Sequence, residues 1–124
     1  MNVYVGHPKS IDYLHMLYPA IKKTRLYNEH HVILPHEFSG SPFNSKEYLP
    51  TCSLMIAEGS EQATGLGIEM GWANLMEVPI LCIYQEGKKI AGSYKVVTDQ
   101  FICYTDEADL VKKLDDYIEN LGGM

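Results

Sequence analysis

Short apolar runs alternate along the chain with segments whose apolar residues recur three or four positions apart. Five runs read as strands: Asn2 to Gly6, His31 to Pro35, Ser53 to Glu58, Val78 to Tyr84 and Gln100 to Tyr104. The fourth is apolar on both faces, as strands buried in a parallel sheet are. Helical spacing is carried by Tyr13, Leu14, Leu17, Ile21 and Leu26, then by Ile68, Trp72, Leu75 and Met76 within a helix over 64–77, and finally by Leu110, Leu114, Tyr117, Ile118 and Leu121. Ser10-Ile11-Asp12 can cap the first helix, and Pro19 predicts a kink or a late start in it. Thr105 as N-cap and acids in the first turn suit the last helix, which Gly122-Gly123 ends. Lys46 to Thr51 reads as a short helix limited by Pro50, and Ile90 to Val97 fits a strand or a short helix.

Alternating strands and helices predict a parallel sheet covered on both faces. Five strands in one chain of 124 residues suit a single domain over 1–124. Its expected form is a flavodoxin/Rossmann-like three-layer α/β sandwich with strand order 2-1-3-4-5. Residues 36–46 carry turn chemistry and read as a long loop, a feature that is often functional inside a compact domain.

Composition narrows the function classes. A formal net charge of −6 argues against nucleic acid as a partner, since that needs a basic face. No apolar run approaches the roughly 20 residues of a membrane span, and the start of the chain lacks a basic segment followed by an apolar one. The expectation is a cytoplasmic protein with no membrane partner. Cys52, Cys82 and Cys103 are odd in number and lie in or beside apolar runs, as buried reduced thiols do. No cysteine or histidine spacing suits a metal, so neither a metal nor an organic cofactor is implied.

The chemistry concentrates in Ala57 to Ala73. A strand ends in Glu58, a glycine-bearing turn follows, and a helix begins with Glu69 in its opening turns. Ligands in open α/β sheets bind at the carboxyl ends of strands, where such loops gather. Ser60, Thr64, Gly65 and Gly67 offer hydroxyls and backbone N–H groups ahead of the helix for a phosphate. The plainer alternative is that the glycines allow tight strand–helix packing. If Glu58 and Glu69 face one crevice, one carboxylate can attack a sugar anomeric carbon while another carboxyl hands a proton to the leaving group. His7 follows the first strand and points toward the same sheet edge, with a base or phosphate as its possible partner. Tyr4 fits a core or half-core aromatic, and Trp72 fits the core.

These residues resemble the nucleoside 2-deoxyribosyltransferase superfamily, and in style its 2′-deoxynucleoside 5′-phosphate N-hydrolase branch. The resemblance is carried by Val3-Tyr4-Val5-Gly6-His7-Pro8, by Leu34-Pro35-His36-Glu37, and by Ala57-Glu58 followed by Gly65-x-Gly67-x-Glu69-x-Gly71-x-Ala73 and Pro79-Ile80-Leu81-Cys82. It implies cleavage of the N-glycosidic bond of a nucleoside or its 5′-monophosphate by hydrolysis or base exchange. Glu69 would be the nucleophile and Tyr4 the residue that orients it. Gly6 belongs to the opening motif, Gly65 and Gly67 would line the phosphate loop, and Ser93 would contact the phosphate, in that branch often from a neighbouring subunit. A homodimer or higher homo-oligomer is therefore expected. The chain departs from the pattern where the family has an aspartate upstream of the third strand: Ser45 stands there, with Glu47 two residues away. Glu47 or Glu58 is then the candidate acid. The departure also suits a non-catalytic nucleotide-binding module of the same fold. A receiver-like domain fits less well, because Gly6-His7 and Glu58 occupy the places of its acidic pair and phosphorylated aspartate.

Overall fold

The computed structural model describes residues 1–122. Strands β1 (Asn2–Gly6), β2 (His31–Ile33), β3 (Leu54–Glu58), β4 (Ile80–Gln85) and β5 (Gln100–Tyr104) form one sheet in the order β2-β1-β3-β4-β5. All four pairings are parallel, with Tyr4 opposite both Ile33 and Met55, and Glu58 opposite Ile83. The expected strand order and class are thus present.

Strand alternation divides the core in two. Val3, Val5, Leu54, Ile56, Leu81 and Ile83 face one layer, which α1 (Tyr18–Lys22), α2 (Arg25–Glu29) and α6 (Glu107–Gly122) cover. Tyr4, Met55, Ala57 and Ile80 face the other, where they meet α4 (Thr64–Leu75), α5 (Tyr94–Val97) and Leu49, the residue that follows α3 (Ser45–Tyr48). Right-handed crossovers in this strand order send the β1–β2 connection to one face and the β3–β4 connection to the other.

The first helical segment differs from its prediction in an instructive way. A π-helical turn over Tyr13–Leu17 leads into α1, where Pro19 sits in the first turn and its missing N–H costs nothing. Thr24 then caps α2, its Oγ1 accepting from the Tyr27 amide at 3.2 Å. At the far end Asp106, rather than Thr105, caps α6: its Oδ1 accepts from the Asp109 amide at 2.8 Å. The stop expected at Gly122-Gly123 reaches outside the described residues. The Ile90–Val97 ambiguity resolves to the short helix α5.

The stripe expected on α4 is displaced. Leu66, Met70 and Ala73 are buried, whereas Ile68 and Leu75 are 47% and 83% exposed. The core-facing row runs from Leu66 at i, i+4 and i+7, and Ile68 and Trp72 occupy the neighbouring face. Gly71 has open space where a Cβ would stand. Gly71→Ala is expected to raise unfolding stability by about 0.5–1 kcal/mol in urea titrations, since glycine in a helix interior costs that much relative to alanine.

Candidate active site

At the carboxyl end of the sheet, β1, the loop after β2, α3 and the first turns of α4 line an open cavity of about 500 Å3. That is an ordinary size for a small-molecule site. Tyr4 and Glu69 line it, with His7, Lys9 and His36, and with Phe43, Ser45, Lys46, Gly65, Ile68 and Trp72. The long loop therefore supplies one wall.

Tyr4 is 1% exposed, and its hydroxyl donates to Glu69 Oε2 at 2.5 Å. Burial, then the Glu69 charge beside it, hold the phenol far above its ordinary range, so it stays a donor. Glu69 Oε1 has no hydrogen-bond partner among the described residues. Gly6 lies directly behind: a Cβ there would stand 2.8 Å from the methyl of Met55 and 3.2 Å from Glu69 Oε1. Gly6 thus leaves the space that the Glu69 carboxylate occupies. Phe43 stacks on Tyr4 with ring centroids 5.9 Å apart and planes 21° from parallel. The ring of Tyr4 is covered while its hydroxyl reaches the acid.

His7 is buried, and both ring nitrogens have partners. Nδ1 lies 2.9 Å from the Pro8 carbonyl, which can only accept, and Nε2 lies 2.7 Å from the Tyr18 hydroxyl. Burial lowers the imidazole pKa to about 4, so near neutral pH the ring is uncharged, with its proton on Nδ1. Tyr18 donates to Nε2 and accepts from the His36 amide at 3.0 Å. Tyr13, presented by the π-helical turn, stacks on His7 at 4.3 Å between centroids. His7 therefore shapes this wall without a free polar atom on its ring. His36 Nδ1, in contrast, is buried with no hydrogen-bond partner.

The other expected site residues are dispersed. Glu58 is fully buried on the opposite face of the sheet from Tyr4, because it shares strand parity with Leu54 and Ile56. Its carboxylate accepts from the Ser60 amide at 2.6 Å, the Ser60 hydroxyl at 2.9 Å and the Tyr104 hydroxyl. Burial raises its pKa, against the lowering effect of those bonds. Glu58 and Glu69 thus do not share a crevice. Ser60 Oγ also accepts from the Gln85 amide at 2.8 Å, which leaves it no role in the cavity. Glu47 is exposed on α3 and is not among the lining residues. Thr64, Gly67 and Ser93 line a second hollow of about 510 Å3, between the start of α4 and the segment before α5. Added Cβ atoms at Gly65 and Gly67 would meet open space, so close packing is not what these glycines serve.

Ser45 is 3% exposed and lines the cavity beside Tyr4. Glu69 is the one carboxylic acid among the lining residues. No group of three or more His, Cys, Asp or Glu side chains among the described residues is placed to hold a metal ion. Cys82 is buried, while Cys52 and Cys103 are half-buried, and all three are free thiols. No helix among the described residues is long and apolar enough to cross a membrane.

Among solved structures, the CMP N-glycosidase BcmB of Clostridium botulinum is similar to this chain. The two share a fold. The TM-score is 0.63, with 93% of this chain and 99% of that chain covered, at 22% sequence identity. No family model matches the chain, and no curated protein matches it in sequence.

The residues that sequence reasoning passed over are those of the long loop and the displaced face of α4. Phe43 and Lys46 gave no periodic signal. Trp72 reads as core by type; half-buried, it packs against the core on the α4 side and also lines the cavity.

Proposed function

We propose that this protein cleaves the N-glycosidic bond of a nucleoside or its 5′-monophosphate, with Glu69 as the nucleophile. The observation that carries this reading is the Tyr4–Glu69 pair at 2.5 Å in an open cleft at the carboxyl edge of the sheet, with Glu69 Oε1 left free. Oε1 attacks C1′ and the glycosidic bond breaks, its electron pair leaving with the base. The sugar is then esterified to Glu69. Water attacks C1′ in turn, releases the carboxylate and gives up a proton that balances the one the departed base takes up from solvent; a second base in place of water would give exchange. Tyr4 holds Oε2 throughout and fixes which lone pair meets the sugar. The fold shared with the CMP N-glycosidase BcmB supports the reading, as do the motifs that resemble the nucleoside 2-deoxyribosyltransferase superfamily.

One observation favours a second reading, a nucleotide-binding module without turnover. Glu69 is alone as a carboxyl in the cavity, and Ser45 stands where a proton-donating aspartate is expected. Under the catalytic reading the base leaves with no carboxylic acid beside it. Chromatography of nucleosides and nucleoside 5′-monophosphates, ribo and deoxy, after incubation with the protein divides the two. Free base from a subset supports cleavage. A new nucleoside formed on adding a second base marks transfer, and its absence marks hydrolysis. Binding without any base release points to the module.

The assembly belongs to the same proposal. Ser93, exposed beside the second hollow, does not line the cavity of its own chain and, as the family resemblance implies, would serve a neighbouring copy. Size-exclusion chromatography at micromolar concentration is expected to give a dimer or larger species, and a monomer would overturn this part.

A further inference from the structure

We infer that His36 is a second catalytic residue of this cavity: its Nε2–H donates a hydrogen bond to the departing base, in place of the carboxylic acid that the site lacks. This role rests on the reading of Glu69 as the nucleophile and adds the group on the far side of the bond that breaks.

The first support is the state of the imidazole. Nδ1 is buried with no hydrogen-bond partner; Nε2 has no partner among the described residues either, but it is open to solvent. A neutral imidazole carries one N–H. Buried N–H groups without an acceptor are rarer than buried acceptors without a donor. The proton therefore sits on Nε2, and His36 presents a donor at the wall of the cavity it lines.

The second support is how the residue is held. The His36 amide donates to the Tyr18 hydroxyl at 3.0 Å. The ring packs edge-on against His7, with centroids 5.6 Å apart, and is tilted against Tyr13 at 6.0 Å. Lys9, Asn44 and Lys46 also bring donors to the cavity, but on exposed side chains. A donor fixed before the reaction stabilises developing charge without a reorganisation cost.

The third support is position. His36 follows β2, Glu69 belongs to α4 after β3, and β1 lies between those two strands. The residues thus reach the cavity from opposite sides of β1, and displacement at C1′ needs the nucleophile and the leaving group on opposite sides of that carbon. They are also near each other. Burial chiefly holds the Tyr18 phenol above its ordinary range and the Glu69 charge adds to it, so Glu69 lies within electrostatic reach of the hydroxyl that carries the His36 amide. As Oε1 bonds to C1′, the electron pair of the glycosidic bond moves onto the base. Nε2–H donates to the base nitrogen or carbonyl oxygen where that charge collects. His36 keeps its proton, and the base takes its own from solvent.

The test compares two kinds of leaving group. Steady-state kinetics are measured with nucleoside 5′-monophosphates, whose bases are poor anions, and with para-nitrophenyl riboside and its 5-phosphate, whose phenolate leaves unaided. His36→Phe keeps a ring and removes the donor. It is expected to lower kcat for the nucleotide about a hundredfold with KM within about threefold, and to change nitrophenolate release by less than about threefold. His36→Gln restores an N–H and is expected to recover about tenfold of the loss. Melting curves check that both variants fold. A third reading keeps His36 intact: in Glu69→Gln, the His36 Nε2 signal in nitrogen NMR is expected to move when the nucleotide binds. An equal fall for both kinds of leaving group, or an unmoved Nε2 signal in the complex, overturns the role of His36 and leaves the Glu69 reading standing. Base release from no nucleotide by the parent removes the Glu69 reading and the role of His36 with it, so the two failures are distinguished.

Discussion

Glu69→Gln is expected to lower base release by at least about a thousandfold while ligand affinity changes by less than about threefold. The amide keeps the size of the side chain and can still accept from the Tyr4 hydroxyl, but it cannot displace a base from C1′. The loss therefore falls on kcat. Tyr4→Phe removes the 2.5 Å bond and leaves the carboxylate in place, so a smaller fall, about ten- to a hundredfold, is expected. Steady-state kinetics with titration of ligand binding reads both. A uniform weakening of binding and turnover in Glu69→Gln would mark Glu69 as a ligand contact rather than the attacking group.

The second large effect is on stability, at the other carboxylate. Glu58→Ala is expected to cost about 2–4 kcal/mol in urea denaturation, because it strands the Ser60 amide and the Ser60 and Tyr104 hydroxyls in a fully buried site. Glu58→Gln keeps the shape and an acceptor, so it costs less, and turnover on Glu69 is expected to continue. The two variants separate a structural carboxylate from a catalytic one. Burial raises the folded pKa of Glu58 above its unfolded value. The native state therefore binds the proton more tightly than the unfolded chain does. The stability from this group is complete below the ordinary carboxyl range and is lost as pH rises through the raised folded value. Urea titrations across that range should show the decline in the parent and a flatter profile in Glu58→Gln. A parent whose Glu58-dependent stability rises with pH would contradict the assignment.

The sheet was legible in the sequence because its evidence is redundant. Each strand is a short apolar run, each is separated from the next by a turn or an amphipathic segment, and the alternation admits few topologies. The Tyr4–Glu69 pairing was legible only through the family resemblance, since 65 positions separate the two residues. The misreading of Glu58 has a definite cause. A residue at the end of a strand points to one sheet face or the other according to parity, and Glu58 is out of step with Tyr4 once Tyr4 pairs with Met55. Sequence proximity to Glu69 carries no information about that. The α4 stripe failed for a related reason. Ile68 and Trp72 are apolar and helically spaced, but a helix flanking a cavity has two apolar faces, and periodicity does not say which one meets the core. The cavity wall from His36 to Lys46 was visible only as a long loop, because irregular backbone has no period from which to read side-chain direction.

The most direct test of the account is chromatographic detection of free base from nucleoside 5′-monophosphates incubated with the intact protein, run beside Glu69→Gln. The account predicts base release from at least one nucleotide by the parent and none above background by the variant, with both proteins binding that nucleotide. Equal release by the two proteins, or none from any nucleotide that the parent binds, would contradict Glu69 as the nucleophile of a glycosidic cleavage.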